Sequence, residues 1–560
     1  MDRQDACPTF LIVNFRLPHI PSKWWRRAAQ LLCLIIFLWL FRKTESDGSG
    51  TLAFAANIFF RLDPLVAASA VLAGVKFIAA LWPALVTVAL TLVLGRFFCG
   101  WVCPLGTLLD IASHAIPANT TPPNPRWRVV KYFLLGVVLA SAVLSCQIVG
   151  YLDPFSILVR GMAVAVDPWM NRAVTAPFTL IYQQTPESVS NFTEPIYAFL
   201  KAHLLPFQQN SFVFSIVSFV ILVGVFALEF AERRFWCRNL CPAGALIGIF
   251  ARFSLLRRFP ARACGRCKAE TDYTARCRMG AFNDRGLLQP ESCNLCLDCL
   301  DDCPIDLPKF TFDKPKTAPA PFEPSRRLFL ASAVTGMALP LVSGAVHAAR
   351  GLPPDLIRPP GALPEPDFLD LCVRCGECMK VCTTNALQPV LLEAGLDGAF
   401  SPKFVGRIGY CEYNCTLCAQ VCPTGAIALL PLPVKQKFIM GKAVLDKKLC
   451  IPFAKNESCI TCEEHCPLPE KAIRFRDVEL VHPVTKQRVI AKRPYIVWSL
   501  CTGCGICETK CPTEGKSAVH MFREEAIPAT VRNDAEIMDM VSQPTPSPGA
   551  TKPRANSDGY

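Results

Sequence analysis

Four groups of four cysteines between residues 372 and 511 leave that part of the chain few ways to fold. They are Cys372, Cys375, Cys378 and Cys382; Cys411, Cys415, Cys418 and Cys422; Cys450, Cys459, Cys462 and Cys466; and Cys501, Cys504, Cys507 and Cys511. Three closely spaced thiols with a fourth one helical turn on is the ligand pattern of bacterial-type [4Fe-4S] sites, where the fourth, followed by Pro, reaches the partner cluster. Pro423, Pro467 and Pro512 follow three of the fourth members, and Thr383 follows the first. C-x2-C pairs also serve zinc ribbons, but the three-plus-one grouping favours iron–sulfur. The expectation is four [4Fe-4S] clusters in α+β ferredoxin-like domains, with the pairing of the groups left open, first with second or first with fourth.

A further seven cysteines lie upstream. Cys293, Cys296, Cys299 and Cys303-Pro304 form a complete motif, preceded by Cys264, Cys267 and Cys277. Reciprocal ligation assigns Cys277 to Cys293, Cys296 and Cys299, and leaves Cys264, Cys267 and Cys303 for a second site whose third loop ligand would fall at Glu270. One full cluster is therefore expected here, and a second that is degenerate, oxygen-ligated or absent. Cys7, Cys33 and Cys146 read as structural thiols.

The chain is 52% hydrophobic with a mean hydropathy above zero while still 18% charged, too apolar for an ordinary soluble protein. Four runs free of charge, 28–41, 77–95, 132–152 and 211–228, approach the about 20 residues that cross a bilayer. The first follows Lys23, Trp24, Trp25, Arg26 and Arg27, a basic and aromatic interface flank. Arg96, Arg126, Arg128 and Lys131, and then Arg233 to Arg262, put the 96–131 loop and the region after 228 on the cytoplasmic side; the 43–75 and 151–210 loops face the other way. The net charge of +13 sits beside these runs, so nucleic acid is not the expected partner. A fifth apolar run, 328–346, follows Ser325-Arg326-Arg327-Leu328-Phe329-Leu330, which resembles a twin-arginine export signal, and Val346-His347-Ala348 resembles a cleavage site. Residues beyond about 349 would then be periplasmic.

One internal repeat stands out: Arg96-Phe97-Phe98-Cys99-Gly100-Trp101-Val102-Cys103-Pro104-Leu105-Gly106 matches Arg234-Phe235-Trp236-Cys237-Arg238-Asn239-Leu240-Cys241-Pro242-Ala243-Gly244. Each copy closes an apolar run and has an Asp-Pro upstream, Asp63-Pro64 and Asp153-Pro154, so the first four runs read as two related halves. C-x3-C on a helix puts two thiols one turn apart on one face, and Cys99, Cys103, Cys237 and Cys241 are candidates to converge on one further metal or cluster. The two aspartates read as helix N-caps or as proton acceptors on the periplasmic side.

No C-x-x-C-H supports covalent haem, and no G-x-G-x-x-G follows a strand, so every recognisable cofactor position is a one-electron carrier and the chain reads as a conduit. Residues 1 to about 315, with two RF-x-C-x3-C-P-x-G motifs and a cytoplasmic cysteine loop, resemble the NapH-type membrane quinol dehydrogenases, related to the membrane cores of NosR and CcoG. Residues 325 to about 520, with SRR-x-F-L and four cubane motifs, resemble the NapG and MauM ferredoxin-type proteins. The chain looks like a fusion of the two partners. The resemblance implies a protein of the bacterial inner membrane that oxidises quinol from the membrane quinone pool and passes electrons to a periplasmic reductase or its cytochrome; the alternatives are a maturation or metal-reducing assembly factor and a redox sensor. The expected architecture is a membrane all-α bundle of four to five transmembrane helices over 1–255, a cytoplasmic ferredoxin-like loop over 256–315, a signal or anchor helix over 316–350, retained because of the fusion, a periplasmic four-cluster domain over 351–525, and a disordered tail over 526–560.

Overall fold

A computed structural model of the chain describes residues 22–46, 50–52, 54–74, 78–116, 125–184, 187–203, 205–206, 209–259, 277–282, 287–301, 309–312, 326–350, 352–481 and 488–527. Cys7, Cys264, Cys267, Cys303, Glu270, Ser325 and the tail beyond 527 lie outside these residues.

Proline sets most helix starts in the N-terminal half. After α1 (Ser22–Lys43), the helices α2 (Pro64–Gly74), α3 (Pro83–Leu94), α4 (Pro104–Ala115), α6 (Pro154–Gly161) and α8 (Pro242–Ala251) all open on Pro, while α5 (Val130–Val143) and α7 (Ser215–Ala227) do not. A first-turn Pro gives up no needed N–H and has its φ preset for the helix. The residues just before α2 and α6 are Asp63 and Asp153; those just before α4 and α8 are Cys103 and Cys241. The two related halves thus share helix starts as well as motifs.

Among the described residues one helix, Lys23–Lys43, is long and apolar enough to cross a membrane. Pro64–Gly74, Ala79–Leu94, Ser215–Phe230 and Pro242–Ala251 are apolar but shorter. The run expected to span 132–152 stops at Val143, where Leu144 and Ser145 turn the chain and Ser145 takes a positive φ of 56°. Of the four expected runs, 28–41 lies within the long helix, and the helices over the other three are shorter than a full span.

The twin-arginine-like segment lies in one helix, α9 (Arg326–Arg350), packed along α5. A Cβ at Gly336 would lie 2.7 Å from Ala140 Cβ and 2.7 Å from the Val137 carbonyl, and Gly136 faces Ser332 in the same way. Ser332-x-x-x-Gly336 on one helix thus lies against Gly136-x-x-x-Ala140 on the other, so small residues let the backbones approach.

Packing divides the chain into two units that cut across the sequence segments. The first holds residues up to 352 together with 361–403 and 416–431; the second holds 353–360, 404–415 and 432 onward. Residues 361–403, from the 351–525 segment, therefore pack with the N-terminal residues. They include α10 (Glu365–Leu371), which lies against α2. In the first unit β1 (Leu256–Phe259) pairs antiparallel with β2 (Lys309–Phe312). In the second, β3 (Lys442–Leu445) pairs antiparallel with β6 (Val519–Phe522), and β4 (Ile473–Val481) pairs with β5 (Arg488–Ile496) from Ile473↔Ile496 to Val481↔Arg488.

Candidate iron–sulfur centres

In the second unit two cavities are ringed by thiols, and each borrows its fourth. Cys450, Cys459 and Cys462 line a cavity of about 350 Å³ together with Cys511. Cys501, Cys504 and Cys507 line one of about 340 Å³ together with Cys466. The third and fourth groups are thus a reciprocal pair, an arrangement the spacing left open. The loop before Cys507 wraps its cavity because Gly503 and Gly505 take φ of 78° and 75°, where a Cβ would be strained. Burial, then the neighbouring thiols Cys459 and Cys450, push Cys462 up to about 12. Burial likewise pushes Cys504 up to about 12, against the hydrogen bond from the Ile506 backbone. Bare thiols here stay protonated, and loading of a cluster releases their protons.

The cavity of the first unit's upstream loop is built alike. Cys277, Cys293, Cys296 and Cys299 line about 440 Å³, the set that the reciprocal pattern assigns to one full cluster. Leu295 and Leu297 sit at φ of 54° and 64°, left-handed positions unusual for leucine, and this twist alternates the chain so that the cysteines share one side. The loop is fastened through a buried carboxylate. Asp110 on α4 accepts from Arg234 Nε and Nη2, both at 2.7 Å, from Arg26 Nη1 at 3.1 Å and from Gln30 Nε2 at 3.0 Å. Arg278, next to Cys277, stands 3.2 Å from Asp110 and 2.6 Å from Asp298. Burial alone would raise Asp110, but Arg234, then Arg278 and Gln30, hold it well below the usual carboxylate range.

The C-x3-C pairs differ from the helical expectation. The Cys103 N–H donates to the Phe98 carbonyl and the Cys241 N–H to the Trp236 carbonyl, both at 2.9 Å, so each pair spans a wide five-residue turn. The second cysteine of each pair is extended, at ψ of 115° and 111°, as a residue before Pro must be. The four thiols nevertheless lie within electrostatic reach of one another. Cys103 interacts electrostatically with Cys237 and Cys99, and Cys241 with all three others. The repeat arginines cross over. Arg234 donates to the Gly106 carbonyl of the first copy at 2.9 Å, and a Cβ on Gly244 of the second copy would meet Arg96 Nη2 at 2.9 Å. The cysteine loop sits directly beneath: Arg96 donates to the Glu291 carbonyl at 2.8 Å and Trp101 Nε1 to that of Leu295 at 3.0 Å. In the sequence both arginines count as cytoplasmic-side charges; their identical position in each copy was the available signal for this bracing role.

Also in the first unit, the loop from Cys372 to Cys378 is seated on the turn before α6. Ser156 Oγ donates to the Val373 carbonyl at 3.2 Å, and Arg160 Nη1 donates to the carbonyls of Gly150 and Arg374 at 2.9 and 3.0 Å. Arg374 reaches back to the Gln147 carbonyl, and Gly150 leaves no room for a Cβ beneath Val373. Cys375 and Cys378 both interact electrostatically with Cys372 and Cys422, so Cys422 completes this set. Cys382 and Cys418 belong to the first unit, Cys411 and Cys415 to the second. Aromatic rings join this loop to the C-x3-C turns. Phe98, next to Cys99, stacks edge-on with Phe155 at 5.9 Å, and Phe155 precedes Ser156. Cys375, Val373, Phe155, Phe98 and Cys241 belong to one continuous apolar core.

Among the described residues no three Cys, His, Asp or Glu side chains converge as they would on a single metal ion. The Cys277–Cys299, Cys450–Cys462 and Cys501–Cys507 sets ring cavities, an arrangement that fits a polynuclear cluster. Of the remaining thiols, Cys146 is buried and Cys33 half-buried.

Comparison with known proteins agrees with this donor chemistry. Residues 77–121 and 212–260, which contain the two repeats, match the 4Fe-4S binding domain family; residues 371–426 match the 4Fe-4S dicluster domain and 494–515 a 4Fe-4S binding domain. The chain is similar to the methylamine utilization ferredoxin-type protein MauM of Methylorubrum extorquens, 35% identical over 225 residues that cover 38% of this chain and 97% of the relative. It is similar to the ferredoxin-type protein NapG of Escherichia coli, 36% identical over 160 residues, covering 28% of this chain and 67% of the relative. It also resembles the methylamine utilization ferredoxin-type protein MauN of Methylorubrum extorquens, 25% identical over 266 residues, covering 44% of this chain and 73% of the relative. No solved structure matches it.

Proposed function

The chain belongs to the MauM and NapG ferredoxin-type iron–sulfur proteins, and from that premise we propose that it is a membrane-bound quinol dehydrogenase that delivers electrons to a periplasmic reductase or its cytochrome. Bound clusters supply one-electron transfer. The observation that carries the reading is the short link from Cys99 to the Cys375 loop, through Phe98 against Phe155 and Ser156 on Val373, which places two thiol sets on opposite sides of one apolar core. A conduit needs such closeness, whereas a sensor does not.

The residues then divide the work. Cys277, Cys293, Cys296 and Cys299 hold one carrier on the cytoplasmic side; Cys99, Cys103, Cys237 and Cys241 hold a mid-path carrier; Cys372, Cys375, Cys378 and Cys422 receive electrons for the 450–511 pair. The apolar core around Phe98 and Phe155 excludes water between them. Helix α9 is an anchor: small-residue contacts like those with α5 suit helices packed in lipid.

The test is to purify the full chain anaerobically in mild detergent, add a reduced menaquinol analogue and follow the clusters by electron paramagnetic resonance beside an iron count. Reduction within a turnover time supports the dehydrogenase; loaded clusters that quinol leaves oxidised refute its input half. The long match to a methylamine utilization protein favours a second reading, in which the same electrons serve assembly of a periplasmic metalloenzyme. That reading gains if quinol fails while a soluble reductant succeeds.

A further inference from the structure

Two buried carboxyl groups, Asp63 and Asp153, meet at the end of the bundle that carries the Cys372–Cys378 loop. They are 1% and 0% exposed. Each caps a helix with one oxygen: Asp63 Oδ1 accepts from the Leu65 N–H and Asp153 Oδ2 from the Ser156 N–H, both at 2.7 Å. The other oxygens, Asp63 Oδ2 and Asp153 Oδ1, are buried and receive no hydrogen bond, and the two carboxyl groups act on each other electrostatically. Two negative charges buried side by side repel and are costly to desolvate, which favours one shared proton on the pair. Capping two helices explains one oxygen of each residue and leaves the facing pair unexplained.

The surroundings show which carboxyl holds the proton. Burial and then the charge of Asp153 push Asp63 up, whereas burial raises Asp153 against the neighbouring Asp63 carboxyl and the capping bonds around Ser156. Both carboxyls are pushed up by burial, and Asp63, also facing the charge of Asp153, is the one that takes the first proton more readily. The elements packed against α2 and α6 carry Arg61, Tyr151, Arg160, Asp370, Asp110 and Lys131. Arg160 acts on Asp153, but its hydrogen bonds go to the carbonyls of Gly150 and Arg374. Asp110 is taken up by its arginines, and Lys131 lies near Arg96. The seated loop adds Arg374, Glu377 and Lys380.

We propose that the Asp63–Asp153 pair is a redox-linked proton site, which binds a second proton when an electron reaches the centre held by Cys372, Cys375, Cys378 and Cys422. Ser156 joins the two directly, its N–H on Asp153 and its hydroxyl on the Val373 carbonyl between two of those cysteines. The step balances as one electron in at the thiolate-held centre and one proton in at Asp153, with both leaving when the electron moves on. A negative charge arriving in a low-dielectric site raises the proton affinity of a nearby carboxylate. The reductant is any one-electron donor, quinol-derived or artificial, so the proposal does not depend on quinol being the physiological source.

The test is a redox titration of the anaerobic full-length protein with dithionite and mediators between pH 6 and 9, read by electron paramagnetic resonance. One centre should lower its midpoint potential by about 59 mV per pH unit, the value for one proton per electron, while the others stay flat. Asp153→Asn and Asp63→Asn should each abolish that slope while the iron count is unchanged. Reduced-minus-oxidised infrared spectra of the unmutated protein should gain a protonated-carboxyl stretch that shifts in D2O; this arm decides the matter if the variants fail to load iron. Potentials independent of pH in every centre would overturn the proposal. A slope that survives in both variants would do the same, and would move the proton to Glu377 or Lys380.

Discussion

Replacing Asp110 by Asn tests how the upstream cysteine loop is fastened. The substitution keeps the shape and leaves three guanidinium groups without their counter-charge. They are not equal. The Arg234 side chain is 1% exposed and both its bonds to Asp110 are 2.7 Å, so it becomes a buried unpaired cation, a loss of about 3–5 kcal/mol. Arg26 is 2% exposed but keeps Asp298 at 3.7 Å; Arg278 is 18% exposed and keeps Asp298 at 2.6 Å, so it adds under about 1 kcal/mol. At about 1.4 kcal/mol per tenfold, amide exchange in the Cys293–Leu300 segment and in the turn from Phe98 to Cys103 should speed by two to four orders of magnitude. Hydrogen exchange read by mass spectrometry of the detergent-solubilised protein measures this directly. Because Asp110 lies below its unfolded value of about 3.9, its contribution is complete above that pH and is lost only as the medium falls through the lower folded value. The difference between the two proteins should therefore be flat from pH 5 to 9. An increase in exchange under about fivefold would show that Asp110 is not the fastening.

Three further outcomes follow from the packing. Cys511→Ser should empty the cavity of Cys450, Cys459 and Cys462 and spare that of its sequence neighbours Cys501, Cys504 and Cys507, which an iron count and the loss of one resonance signal would show. Gly150→Val should push the Val373 carbonyl off the bundle at a cost of about 1–3 kcal/mol, seen as faster proteolysis or exchange around Cys372–Cys382, with the Cys450 cavity unaffected. If the segment acts as a retained anchor, the purified protein should run as one chain of 61.6 kDa on a denaturing gel; two fragments parted near Ala348 would show that α9 does not tether the residues beyond it.

The parts of this fold set by covalent spacing were legible, and those set by packing were not. C-x2-C-x2-C-x3-C forces three thiols to one side of a loop, so the Cys293 and Cys501 sets could be read from the sequence. Which loop supplies a fourth ligand depends on how β3 and β6 bring Cys511 beside Cys450, a contact across sixty residues that no local rule predicts. The spans were less legible: charge-free runs measure composition, whereas helix ends here are set by local turns such as that at Leu144 and Ser145 and by the helix-starting prolines at 64, 83, 104, 154 and 242. Those prolines were visible, and only the cysteine and aspartate before two pairs of them were given weight.

The repeat explains why the two halves meet at thiols on one side and carboxyls on the other. Each half contributes one Cys-Pro and one Asp-Pro helix start, so pairing the halves must bring Cys103 beside Cys241 if it brings Asp63 beside Asp153. Both pairings occur. The crossing arginines tie each half to the other's Gly106 or Gly244 position, where a side chain would collide with the guanidinium. The symmetry breaks where the cysteine loop docks. The first copy has Gly100, against which the Asn294 carbonyl packs; the second has a buried Arg238 in its place. A side chain at 100 would lift the Cys293–Cys299 loop away, so the cysteine loop docks on the first copy although the scaffold is two-fold.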